Sequence, residues 1–158
     1  MLSRATSALA ATLTLCLSLS TASAVLAAPL SAEGQWVTVD DDGKTASSVV
    51  EIYARGKKLY GKIVQLINPQ EKDPKCTACE GAKKNQPILG MEILRDFERD
   101  GDDEWSGGHI LDPRNGTEYR CYLELQEGGR KLKVRGYVGI ALLGRTQYWF
   151  RRTPPAAH

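Results

Sequence analysis

From Gly34 onward, apolar and polar residues alternate with a period of two in short runs, and turn residues interrupt the runs at close intervals. "GQWVTVD" alternates toward Asp40, and "DDGK" supplies turn chemistry. "SSVVEIYA" ends at Arg55-Gly56, and "KLYGKIVQLI" runs to Asn68-Pro69. "ILGMEILRDF" predicts the next strand, closed by the acidic turn "ERDGDDE". "WSGGHIL" and "TEYRCYLEL" flank "DPRNG", "EGGR" turns into "KLKVRGYVGI", and "RTQYWFR" ends the pattern. About eight strands at short spacing, with few helix-period segments, predict an all-β chain folded as a sandwich or barrel.

Alternation also assigns faces. Tyr119, Cys121, Leu123 and Leu125 fall on one side of their strand, opposite Arg120, Tyr122 and Glu124. Leu132, Val134, Gly136 and Val138 oppose Lys133, Arg135 and Tyr137 in the same way. The polar faces carry cationic and planar groups, and periodicity does not choose between a solvated face and a pocket lining. In "DPRNG", Asp112-Pro113 starts a turn, Asn115-Gly116 supplies positive φ, and the Asp112 carboxylate is placed to accept backbone hydrogen bonds.

Composition matters first at the N-terminus. Arg4 is the only charge before Glu33, a mostly apolar run follows from Leu9 to Leu19, and Ala22-Ser23-Ala24 offers an A-x-A cleavage site. That order describes an export signal, and the run is too short for a membrane span. Leu15 before Cys16 is too bulky for the usual lipoprotein signal. The expected organisation is a signal peptide over 1–28, a barrel domain over 29–152 and a loose tail over 153–158, with the protein periplasmic or secreted. No integral membrane segment is expected after cleavage. Loss of Arg4 lowers the formal charge from +2 to +1. Mixed signs near neutrality provide no field for capturing nucleic acid.

Export changes how the cysteines read. Cys76, Cys79 and Cys121 remain, and in an oxidising compartment one pair should be bridged. Chain entropy favours the longer closure, about 46 residues from Cys76 to Cys121, by ~4 against ~2 kcal/mol. Geometry favours Cys76–Cys79, because Cys121 sits mid-strand on an apolar face where a free thiol packs as a small hydrophobe. A redox pair would open a helix, whereas this Cys-x-x-Cys lies in the Pro-flanked loop 68–87; a thiol-redox or metal site there is the lesser reading. Zinc would want four ligands, and beyond Cys121 and His109 there is no second closely spaced pair. "DGDDE" lacks calcium-loop spacing and reads as a solvated turn. No metal, cofactor or catalytic residue is expected.

Two resemblances add to this reading. Gly34-Gln35-Trp36 near the start and Trp149-Phe150-Arg151 at the end resemble the lipocalin-like (calycin) barrels. In that family a first-strand Trp plugs the closed end and a last-strand Arg stacks on its indole. The resemblance implies a structural role for Trp36, Trp149 and Arg151, with Arg145, on the same strand face, the other candidate. "GHILDPRNGTEY" and "LKVRGYVGIALLGRTQYWFR", with the shorter motifs before them, resemble a bacterial family of small exported proteins catalogued as a domain of unknown function. It implies a single antiparallel lipocalin-like β-barrel and brings no catalytic residues.

Arg135, Tyr137, Arg145 and Gln147 are the candidates for polar recognition, since guanidinium forks beside flat rings suit carboxylate or phosphate head groups. The functional expectation is non-enzymatic binding of a small amphipathic ligand in the barrel mouth. The alternative is an interaction module whose 68–87 loop contacts an envelope protein.

Overall fold

The computed structural model describes residues 30–152, apart from positions 41 and 141. The expected signal peptide and the tail therefore lie outside the described residues. Within them, eight strands follow one another around a closed antiparallel barrel: β1 (Gly34–Val39), β2 (Ala46–Arg55), β3 (Lys58–Leu66), β4 (Glu92–Arg99), β5 (Glu104–Asp112), β6 (Thr117–Gln126), β7 (Lys131–Tyr137) and β8 (Gly144–Arg151). Each strand pairs with its sequence neighbour, so every connection is a hairpin or a loop along one rim. β1 and β8 close the ring through Trp36 opposite Arg151 and Val37 opposite Phe150.

The alternating pattern becomes the inside and outside of the barrel. Trp36, Ile52, Leu94, Leu123, Leu132 and Trp149 are buried in one continuous core. Burying each large apolar side chain contributes about 1.5–3 kcal/mol, and an eight-stranded barrel is just wide enough to be filled by them. Filling needs gaps on the facing strands. Gly108 lies under the Phe97 ring, where even a Cβ would stand 2.4 Å from a ring carbon. Asp96 has φ 64 and bulges β4, where the register against β3 slips by one residue between the Leu59–Phe97 and Gly61–Leu94 pairs. Its carboxylate accepts a hydrogen bond from the Tyr60 hydroxyl at 2.8 Å.

Two ends result. The turns after β2, β4 and β6, with segment 30–33, gather at the closed end. There the Trp36 indole donates to the Ala32 carbonyl at 2.8 Å, and the Arg151 guanidinium lies over the indole, 4.2 Å from its ring centre. Arg151 also donates to the carbonyl oxygens of Gly129, Glu33 and Ser31. The other end carries the turn 40–45, the long loop 67–91, the hairpin 113–116 and the loop 138–143.

Two elements differ from the pattern. Ile88 to Met91 are not strand, because the chain turns there and Gly90 and Met91 exchange hydrogen bonds with Ile63 before β4 begins. β7 ends at Tyr137 instead of Ile140, leaving Val138 and Ile140 outside the sheet and exposed. An apolar run looks the same whether it pairs or protrudes.

Candidate functional site

The open end holds a cavity of about 600 Å³, within the usual range for a small-molecule site. Its wall is built from the inward-facing residues of the last strands. Ile110 from β5, Tyr119 from β6, and Val134 and Gly136 from β7 supply apolar surface. Arg145 and Gln147 from β8 supply polar groups on the adjoining wall. Val138, Leu142 and Leu143 form the outer lip on one side, and Asp112 and Asn115 of the hairpin form it on the other. Arg145 and Gln147 also border a smaller depression of about 280 Å³ along the β1–β8 seam.

Of the four residues proposed for recognition, Arg145, Gln147 and Tyr137 line the cavity. Arg135 does not: strand alternation turns it outward, where it donates to the Thr146 hydroxyl at 2.7 Å and to the Leu142 carbonyl at 3.2 Å. Of the closure residues, Trp36 and Arg151 meet at the opposite end, while Trp149 is buried in the core with its indole 3.4 Å from the Gln147 side-chain oxygen.

The hairpin lip is held from within and from below. Burial pushes the Asp112 carboxyl up, but hydrogen bonds from the Arg114 side chain and backbone outweigh it and hold the group below its ordinary range. Asn115 donates to the Tyr119 hydroxyl at 3.1 Å and accepts from the Thr117 amide at 2.8 Å. Gly116 takes φ 70, whereas Asn115 does not adopt positive φ. Beneath lies the cysteine loop. Cys76 and Cys79 are disulfide-bonded, both are buried, and the Cys76 sulfur stands 3.2 Å from the Pro113 carbonyl oxygen. A Cβ on Gly116 would lie 2.1 Å from the Ala78 carbonyl oxygen. The loop's other strand folds back through the pairing of Lys75 with Pro87 and the bond from the Cys76 amide to Gln86. The bridge thus staples a buttress that supports the cavity's lip. Its sulfurs are covered, so an external thiol has no direct approach to them.

Cys121 is the free thiol among the described residues and is fully buried in the core, where burial pushes its pKa up. Peptide mapping after alkylation should find Cys121 unmodified in the native protein and modified once the barrel unfolds. Ready modification of the folded protein would contradict this packing.

Sequence reasoning did not reach Ile110, Val134, Leu142 and Leu143 as lining residues. A signal existed in "VGIALLG", an uncharged apolar run between two arginine-containing strands. Read as strand continuation, it gave no hint of a lip.

An eight-stranded, sequentially connected antiparallel barrel, plugged at one end by a Trp–Arg pair and open at the other, is a lipocalin-like barrel. The solved structure titled "Protein HP1028 from the human pathogen Helicobacter pylori belongs to the lipocalin family" is similar, with a TM-score of 0.69 at 19% identity over 78% of this chain and 84% of that one. At that identity the likeness speaks for the fold alone. The chain belongs to the bacterial family described as "Uncharacterized protein conserved in bacteria (DUF2147)", which matches residues 34–151. No curated protein matches it.

Proposed function

We propose that the chain is an exported carrier that holds a small amphipathic ligand in the mouth of its barrel. The observation that carries this reading is the cavity itself. It is roomy, mostly apolar on its β5–β7 wall, and has Arg145 and Gln147 where an acidic head group would need donors. The Cys76–Cys79 bridge supports the location, since disulfides persist in oxidising compartments.

Titration with the fluorescent fatty acid cis-parinaric acid tests the reading. A saturable, one-site rise in emission is expected. Gly136 has ordinary strand geometry, and a Cβ there would make tolerable 3.4 Å contacts with Ile110 and Tyr119. Gly136→Leu therefore projects its branch into the cavity and should abolish the signal while leaving the fold intact. Arg145→Gln should weaken the acid by about tenfold, the value of one charge-assisted hydrogen bond, and leave the matching alcohol unchanged. Absence of binding by the unsubstituted protein, or equal binding by Gly136→Leu, would refute the carrier role.

A further inference from the structure

The lip loop 138–143 has a surface the cavity does not account for. It contains no charged residue, and Val138, Ile140, Leu142 and Leu143 are 65%, 61%, 82% and 72% exposed. Of the other exposed large apolar side chains, Tyr148 and Phe150 lie along β8, Leu30 precedes β1 and Leu89 stands alone in the 67–91 loop, whereas these four are grouped within one short loop at the open end. Arg135 bonds to the loop's own Leu142 carbonyl, Arg145 follows it directly in β8, and Arg114 stands on the facing hairpin. The result is an apolar tip with guanidinium groups around its base, of which Arg114 is paired with the Asp112 carboxylate.

We propose that this loop docks the barrel mouth onto an anionic bilayer. A protein partner would need roughly 800 Å² of matching surface per side, more than the four exposed side chains of so short a loop present. A fluid lipid interface asks for no matching shape. It accepts apolar tips among the upper acyl chains while arginines at the base meet phosphate and glycerol oxygens. Val138, Leu142 and Leu143 belong to both the tip and the cavity wall, so the exposed surface and the cavity share apolar residues. Docking in this pose places the cavity entrance against the membrane, where a ligand passes between bilayer and barrel with little exposure to water. The docking stands on the loop alone; the exchange step rests on the carrier reading.

Trp36, Trp105 and Trp149 are the chain's three tryptophans and all are buried, so an added one reports locally. Ile140→Trp in the full chain is mixed with vesicles of equimolar phosphatidylglycerol and phosphatidylcholine brominated along the acyl chains. Emission from the added residue should shift to the blue and fall about twofold or more, less so in high salt or with phosphatidylcholine alone. Lys57→Trp, in the turn between β2 and β3 at the closed end, should not respond. Adding Leu142→Asp and Leu143→Asp to Ile140→Trp should remove the quenching. An unquenched Ile140→Trp overturns docking, as do equal responses at both ends or quenching that survives the aspartates. A blue shift that grows with protein concentration without vesicles also overturns it, in favour of contact between two copies. Cis-parinarate binding without quenching of Ile140→Trp leaves the carrier reading standing and sinks docking alone.

Discussion

Gly116→Ala is expected to lower the melting temperature by about 10 °C or more and to release the disulfide loop from the hairpin it supports. Two costs combine. Gly116 has φ 70, and a residue with a Cβ loses roughly 1–2 kcal/mol in that region. The new methyl would also sit 2.1 Å from the Ala78 carbonyl oxygen and 2.8 Å from the Cys79 amide nitrogen. Both obstacles are backbone, and the bridge beside them resists retreat, so overpacking adds about 1–3 kcal/mol. For a domain of this size the sum of ~2–5 kcal/mol corresponds to a shift of roughly 10–20 °C. Gly56→Ala provides the comparison, because Gly56 has φ 66 with nothing near its missing Cβ. It pays the conformational cost alone. Thermal unfolding followed by circular dichroism should separate the two variants clearly. Equal melting temperatures would mean that the Cys76–Cys79 loop does not press on the hairpin.

That contact marks the limit of what the sequence discloses. Strand number, order and facing were legible because a two-residue period must be satisfied on both sides of a sheet, as in "TEYRCYLEL" and "KLKVRGY". The Cys76–Cys79 pairing was legible for a related reason: alternation puts Cys121 mid-strand on the core face, where it packs as a free thiol. Where loop 67–91 comes to rest was not legible. Nothing local to Cys76 or Gly116 says that residues 38 or so apart will touch, since the contact is set by barrel curvature and not by any period. The cavity wall was half legible. Arg145 and Gln147 follow from alternation in β8, while Arg135 looks equivalent in composition and is turned outward by the same alternation in β7. Leu142 and Leu143 escaped because hydrophobicity reads as burial unless a structure shows otherwise.

At the closed end, Arg151→Ala should cost about 2–4 kcal/mol, read as a fall in the urea midpoint with an unchanged slope. The guanidinium joins three separate stretches of chain. Its nitrogens donate to Gly129 in the turn before β7 and to Ser31 and Glu33 before β1, and its face covers the Trp36 indole. Burial lowers the Arg151 pKa, yet an arginine starts so high that it stays charged at neutral pH. Alanine would strand the carbonyl oxygens, some of which water can reach, which is why the loss is less than three full charged hydrogen bonds. It would also uncover an indole that is now fully buried. The ring is joined between β1 and β8 by only two residue pairs, one of which contains Arg151 itself. Its side chain therefore ties the seam where the backbone ties it least. Arg151→Lys decides between charge and shape. A single ammonium cannot reach three divergent carbonyls and lie flat on a ring, so lysine should recover less than half of the lost stability. Hydrogen exchange at the Trp36 indole should quicken in both variants, because the Ala32 carbonyl that accepts its proton lies in the segment Arg151 holds down. A lysine variant as stable as the unsubstituted protein would show that a positive charge alone suffices at this seam, and the stacked, forked contact would then carry no weight in closing the barrel.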